Sequence, residues 1–142
     1  MLTIRGSLLA FVLSACGSAE PATPPQFSGP PFDNVSSASS SVHVSLRFSP
    51  GPLPSRGVNA VELVVTGMSG EQRDDVELSV LPWMPAMNHG ASAEPIIVAQ
   101  GSGRFLAENV NLFMPGRWQL RFGLVDTKTH ESDKRTIEFE VR

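Results

Sequence analysis

Residues 118–124 read WQLRFGL, and large apolar side chains occupy every second position of this stretch. An extended chain places alternate side chains on opposite faces, so strict alternation indicates a strand with one face in a core. The same period of two recurs in SVHVSLRFS at residues 41–49 and in TIEFEVR at residues 136–142. The three stretches therefore predict antiparallel strands that are each buried on one side.

Weaker alternation, bounded by Gly, Pro, Asp or Asn, marks four further segments at residues 60–66, 76–81, 96–100 and 104–112. No segment repeats apolar residues at helical spacing over three turns, so helices are expected to be absent or trivial. About seven short antiparallel strands at this spacing are typical of an immunoglobulin-like β-sandwich, with a small barrel as the alternative. We expect this all-β domain to span residues 41–142.

The N-terminal stretch MLTIRGSLLAFVLSAC has the organisation of a secretory signal, with one cation at Arg5, a short apolar run and small residues before Cys16. The apolar run is too short for a membrane-spanning helix, which needs about 20 residues. Its last four residues, LSAC, resemble the lipobox of bacterial lipoproteins, and Cys16 is the only cysteine in the chain. We therefore expect a lipoprotein signal peptide at residues 1–15 and a lipid on Cys16. A leader cut elsewhere, or an uncleaved strand, is the alternative.

Residues 16–40 combine this cysteine with a segment rich in Pro, Ser, Gly and Ala. The segment holds few large apolar side chains, so it cannot bury enough surface to offset the entropy lost on ordering. We predict a disordered linker that tethers the domain to the membrane.

The lipid predicts a protein of the cell envelope that is anchored in a membrane by its N-terminus. Gly17 directly follows Cys16, at the position where an Asp would signal retention. By resemblance to the sorting signal of Gram-negative lipoproteins, it favours the outer membrane, facing the periplasm, if the cell is Gram-negative. In a Gram-positive cell the same anchor implies the outer face of the plasma membrane. Without Arg5, ten basic residues stand against fourteen acidic ones, a formal charge of about −4. This acidic balance, with no run of Lys or Arg, argues against nucleic acid as a partner.

The loop PWMPAMNHGA at residues 82–91 places two thioethers and an imidazole within six residues. Because successive strands of an antiparallel sandwich reverse direction, alternate loops lie at the same end. This parity groups the loop with NLFMPGRW at residues 111–118. The expected cluster, with its aromatic flank, consists of Met84, Met87, His89 and Met114, with Trp83 and Trp118 beside them. The same parity places the other candidates at the opposite end: His43, Met68 and His130.

Two interpretations of this cluster are open. Thioether sulfur and imidazole nitrogen suit Cu(I) as ligands, and methionines remain serviceable where free cysteines would oxidise. Methionine also fills irregular gaps in cores, and Pro82 and Pro85 would stiffen the loop in either case. The cluster is thus a Cu(I) site, or else a structural plug or partner-contact surface. Trp118 is expected to anchor the core.

Two stretches carry a resemblance to a known family. An MP-x-M-x-H pattern runs from Met84 to His89, and an MPG-x-W pattern runs from Met114 to Trp118. Together they resemble the YtkA-like family of small bacterial extracytoplasmic β-domains, which is similar to the outer domain of FixH-type proteins linked to cytochrome oxidase assembly. The resemblance covers residues 42–142 and implies the β-sandwich fold. The expected lipid anchor differs from the transmembrane helix of FixH-type proteins.

No catalytic pattern is found in the sequence. There is no G-x-S-x-G elbow, and none of the three histidines lies in an H-E-x-x-H motif. Asp74 and Asp75 are adjacent on a polar turn and are expected to be solvated. We therefore expect a non-enzyme. It is either a lipid-anchored module that binds Cu(I), or a structural or protein-interaction module that docks onto an envelope or membrane-protein partner.

Overall fold

The computed structural model describes residues 23–32 and 42–142. The strands, in chain order, are β1 (Val42–Ser49), β2 (Gly57–Gly67), β3 (Val76–Met84), β4 (His89–Gly90), β5 (Ile96–Gly101), β6 (Arg104–Leu112), β7 (Gly116–Asp126) and β8 (Ser132–Val141). One turn of 3₁₀ helix, Pro85–Met87, joins β3 to β4. The predicted signal peptide, Cys16 and much of the linker lie outside the described residues. No helix within them is long and apolar enough to cross a membrane.

The strands form two four-stranded antiparallel sheets. Sheet A has the order β1-β2-β6-β5, and sheet B has the order β4-β3-β7-β8. This confirms the predicted β-sandwich and excludes the barrel. Seven of the strands match the predicted segments, and the two-residue β4 is the extra one. It is antiparallel to β3, as β5 is to β6. Strand β5 ends beside Arg104, which pairs with Val64 of β2, and Arg73, just before β3, donates its N–H to the carbonyl of Val65 in β2. Strand β5 thus ends where β3 begins, so β4 and β5 run in the same direction and count as one crossing, which leaves the predicted loop parity intact.

The core lies between the two sheets and is built from the alternating positions. The buried apolar side chains of β1 and β7 are Val44, Leu46, Phe48, Trp118, Leu120, Phe122 and Leu124. Each such side chain contributes about 1.5–3 kcal/mol when it leaves water. The period of two in the sequence thus marks the inner face of both sheets, as expected.

Phe32, which belongs to the predicted linker, packs on the edge of sheet A. Its N–H donates to the carbonyl of Leu46 at 2.7 Å, and its own carbonyl accepts from the Leu46 N–H at 3.3 Å. Its ring meets Phe48 edge-on, with 5.5 Å between the centroids. The linker composition indicated a tether with nothing to bury, and the structure corrects this at Phe32. An edge strand offers unpaired backbone groups, and Phe32 bonds to those of Leu46 in β1.

Ion pairs join the turns at one end of the sandwich, which we call the far end. Arg73 Nε donates to Asp75 at 2.6 Å, and Arg73 Nη2 donates to Asp126 at 2.5 Å. Asp74 accepts the backbone N–H of Gly103 at 2.8 Å. Asp74 is exposed, as expected, whereas Asp75 is only partly accessible. Both carboxylates also connect turns from different strands, which the sequence did not indicate.

Candidate functional site

The β3–β4 turn and the β6–β7 loop meet at the other end of the sandwich, which we call the Met/His end. A Cβ atom placed on Gly116 would lie 2.8 Å from Cε of Met84. The ring of His89 stacks on Phe113 at a centroid distance of 5.8 Å. Met114 lies in the chain between Phe113 and Gly116, so the two sequence stretches are neighbours in space.

A tight turn reverses the chain so that His89 faces Met84. Asn88 follows the 3₁₀ turn at φ 52° and ψ 39°, in the left-handed region. Asn visits this region more readily than most residues, and its N–H donates to the carbonyl of Pro85 at 3.2 Å. His89 then pairs with Met84 in the β3–β4 ladder. Directly paired residues point to the same face with Cβ atoms about 4.5–5.5 Å apart, so Met84 and His89 face the same side of sheet B.

The imidazole of His89 has one nitrogen engaged by the backbone. Nδ1 lies 2.9 Å from the carbonyl oxygen of Gly90, and because a carbonyl only accepts, Nδ1 carries the hydrogen in this contact. In the neutral ring, Nε2 then keeps its lone pair. Metal-binding histidines commonly have this arrangement, with the second nitrogen bonded to a carbonyl. Stacking on Phe113 at an interplanar angle of 11° also orients the ring.

Met84 and Met114 both pack against the core. Met84 is 5% exposed and belongs to the central cluster, whereas Met114 is half-buried against that cluster. The carbonyl of Met114 accepts a hydrogen bond from Trp118 Nε1 at 2.9 Å. Trp118 is fully buried and is the core anchor that the alternation predicted. It holds the backbone from which the Met114 side chain projects.

Met87 is the exposed member of the predicted cluster. It ends the 3₁₀ turn and is 53% exposed. The structure therefore places Met84, His89 and Met114 on adjoining segments at this end, with Met87 at the surface of the same turn. Among residues 23–32 and 42–142, no three His, Cys, Asp or Glu side chains are grouped so as to hold a metal ion.

Trp83 lies on the opposite side of sheet B from this cluster. It pairs with Gly90, next to the pair formed by Met84 and His89, and adjacent positions of a strand point to opposite faces. The guanidinium of Arg121 sits 4.7 Å from the centre of its ring. The aromatic flank expected from Trp83 is therefore absent from the inner face, as the alternation within β3 requires.

Phe113 supplies the aromatic contact instead, and the sequence analysis did not single it out. It stacks on His89 and meets Trp118 edge-on at a centroid distance of 5.7 Å. One side chain thereby connects the β3–β4 turn to β7. Its position directly before Met114 could have indicated a role at this end. Alternation of apolar residues does not, however, predict the direction of a side chain in a loop.

The remaining candidates lie at the far end. His43 pairs with Thr66 near the end of β2, and Met68 follows that strand directly. His130 lies in the β7–β8 turn, where its N–H donates to the carbonyl of Asp126 at 2.9 Å. The length of the sandwich separates these three residues from the Met/His end.

Solved structures from two bacteria share the fold. FetP of uropathogenic Escherichia coli strain F11, as isolated after expression in the periplasm, has a TM-score of 0.53 at 9% identity, covering 82% of this chain and 95% of that one. A copper-bound FetP variant has a TM-score of 0.53 at 7% identity, covering 83% and 92%. The copper-reconstituted P19 protein of Campylobacter jejuni has a TM-score of 0.52 at 9% identity, covering 84% and 97%. At such low identity these likenesses establish the fold alone.

The sequence itself assigns the family. A search of curated protein sequences found no match. The sequence profile of the YtkA-like family, however, matches residues 36–123. That match covers more than half of the chain and includes both loops of the Met/His end. The resemblance seen in the MP-x-M-x-H and MPG-x-W patterns is thus confirmed, and the chain belongs to the YtkA-like family.

Proposed function

We propose that this protein is a lipid-anchored binding module of the cell envelope that takes up Cu(I) at the Met/His end. The observation that carries the proposal is the pairing of His89 with Met84, in which Nδ1 is bonded to the Gly90 carbonyl and Nε2 keeps its lone pair. The proposed ligands are Met84, Met87, His89 and Met114. We assign the protein no catalytic role.

The chemistry of these donors favours Cu(I). Thioether sulfur is a soft ligand that selects Cu(I) over harder ions, and imidazole is compatible with copper. The copper-bound FetP variant and the copper-reconstituted P19 protein have the same fold, which supports copper as a ligand for this kind of domain.

Exposure divides the proposed ligands into inner and outer members. Met84 and Met114 pack against the core, so their sulfur atoms would bind the ion where little water reaches. Met87 is 53% exposed and would be the first thioether that an arriving ion meets. One exposed ligand, Met87, next to two ligands that are shielded from water, Met84 and Met114, would suit a site that loads and releases a metal ion.

A second candidate function is a metal-free interaction module. The Met/His end carries three exposed apolar side chains from two loops and the start of β2: Leu53, Val58 and Met87. Exposed apolar groups of this kind mark protein-contact surfaces. In this alternative, Met84 and Met114 only plug the end of the core, and the surface docks onto an envelope or membrane-protein partner.

Native mass spectrometry of the purified protein with added Cu(I) separates the two functions. The copper proposal expects one copper per chain, and loss of this adduct in Met87→Ala and in His89→Ala. Met68→Ala and His130→Ala are matched controls, because each removes the same type of donor at the far end. Both controls should retain the adduct.

The copper proposal is abandoned if the wild-type protein forms no adduct at low micromolar copper. It is equally contradicted if the far-end variants lose copper as readily as the variants of the Met/His end. A folded wild-type protein without an adduct would favour the interaction module.

A further inference from the structure

The outer face of sheet A contains a buried carboxylate between two arginines. Glu62, in the middle of β2, is 3% exposed although it points away from the core. Arg104 Nη2 on β6 donates to its Oε1, and Arg47 Nη1 on β1 lies 3.7 Å from its Oε2. A buried carboxylate is strongly unfavourable without such partners, so Glu62 holds two cations at one place.

Strand register accounts for this convergence. Arg47 pairs directly with Glu62, and Arg104 pairs with Val64, two residues further along β2. Directly paired residues share a face, and diagonal neighbours remain within reach of long side chains. The three charged groups therefore meet on one face although they come from three strands.

The two guanidinium groups retain most of their capacity for hydrogen bonding. The distance of 3.7 Å between Arg47 and Glu62 is too long for a hydrogen bond, and Arg104 makes one such bond to Glu62. Each guanidinium has five N–H donors. The side chains of Arg47 and Arg104 are 44% and 53% exposed, so the unused donors are accessible from solvent.

A depression of about 150 Å³ opens beside these groups. It is lined by Ser45, Leu46, Arg47, Glu62, Val64 and Arg104. Its volume corresponds to roughly five water molecules at about 30 Å³ each, which is room for a small ion. Two cations and one carboxylate leave a net charge of +1 at its wall, and the hydroxyl of Ser45 adds another donor.

We propose that this depression binds a small oxyanion, a carboxylate or a phosphate, between Arg47 and Arg104. Arginine presents a planar fork of donors that matches two oxygen atoms of such an anion. Glu62 holds the two forks in place and balances one of their two charges when the ligand is absent. The site is separate from the Met/His end, because it lies on the outer face of sheet A.

Calorimetric titration of the full chain in detergent, at constant ionic strength set with chloride, tests the proposal. The probes are inorganic phosphate and citrate, and binding is expected with a Kd on the order of 1 mM or tighter. Binding of only one probe would identify the class as phosphate or as carboxylate. Arg47→Gln should weaken binding about tenfold, since it removes a charge-assisted contact.

Two further variants make the result specific. Arg117→Gln removes the same charge from the outer face of sheet B, next to Glu140 in the register, and should leave the affinity unchanged. Glu62→Gln removes the internal counter-charge and should tighten binding, provided that thermal melting shows the variant to be folded. The proposal is overturned if neither probe binds, or if Arg47→Gln and Arg117→Gln have equal effects.

Discussion

At the scale of single residues, Gly116 determines how closely the β6–β7 loop approaches Met84. Its φ is 125°, a region that side chains disfavour, and a Cβ atom there would lie 2.8 Å from Met84 Cε. Glycine is thus favoured at this position for two reasons: it adopts the positive φ of the turn, and it leaves space for the Met84 methyl group. The space for the Met84 methyl group therefore depends on the absence of a side chain at Gly116.

Gly116→Ala is expected to lower the free energy of unfolding by about 1–3 kcal/mol through backbone strain and to weaken the proposed copper adduct. The control is Gly70→Ala, also at positive φ but with no heavy atom within 4 Å of the added methyl. Urea unfolding and native mass spectrometry measure the two effects. Both variants should lose stability, but only Gly116→Ala should lose copper. Unchanged copper binding in Gly116→Ala would show that the Met84 methyl position is irrelevant to the site.

At the scale of elements, an ionic network ties β3 to β7 at the far end. Hydrogen bonds from Arg73, and then from Lys128, hold the pKa of Asp75 well below its usual range. The backbone N–H groups of Thr129 and Lys128, and then Arg73, lower the pKa of Asp126. Both carboxylates therefore take up protons more readily in the unfolded chain. Their contribution to stability is complete above the unfolded pKa of about 4 and is lost as the pH falls further.

We expect the melting temperature to fall steeply below about pH 4, the unfolded pKa of Asp, and Asp75→Asn to flatten that fall. The variant should also melt lower than the wild type at neutral pH, because Arg73 and Lys128 lose a charged partner. Glu140→Gln, which removes an exposed carboxylate of β8, is the control and should keep the wild-type acid profile. Parallel acid profiles for Asp75→Asn and the wild type would rule out the network as the cause.

At the scale of the whole molecule, the docked Phe32 shortens the distance that the linker can bridge. If Cys16 carries a lipid, the tether ends at or before Phe32 and not at the start of β1. At about 3.1 Å per residue in an extended Pro-rich chain, it spans on the order of 50 Å at most. The domain would thus remain near the membrane, within reach of a membrane-bound partner.

Cys16→Ser should abolish acylation, so that the protein leaves the membrane fraction or retains its leader. Detergent phase partitioning, with immunodetection of each fraction, measures this change. The wild-type chain should enter the detergent phase, since multiple acyl chains anchor firmly. Unchanged partitioning of the Cys16→Ser variant would exclude a lipid on this residue.

The sequence by itself determined the architecture of the protein. The alternation in residues 118–124 and in the other strands predicted which side chains form the core, since the side-chain period of a strand is a local property of the extended backbone. Strand count and parity were sufficient to group the loops by end. The MP-x-M-x-H and MPG-x-W patterns also indicated the family.

Only the tertiary structure decided which side chains meet. The pairing of His89 with Met84 depends on the reversal at Asn88, and the meeting of Arg47, Glu62 and Arg104 depends on the register of three strands. The docking of Phe32 and the stacking of Phe113 on His89 likewise join distant segments. The alternation excludes a slip of one residue, which would turn the apolar side chains to solvent, but it does not choose among registers two residues apart, nor does it set the direction of a loop side chain.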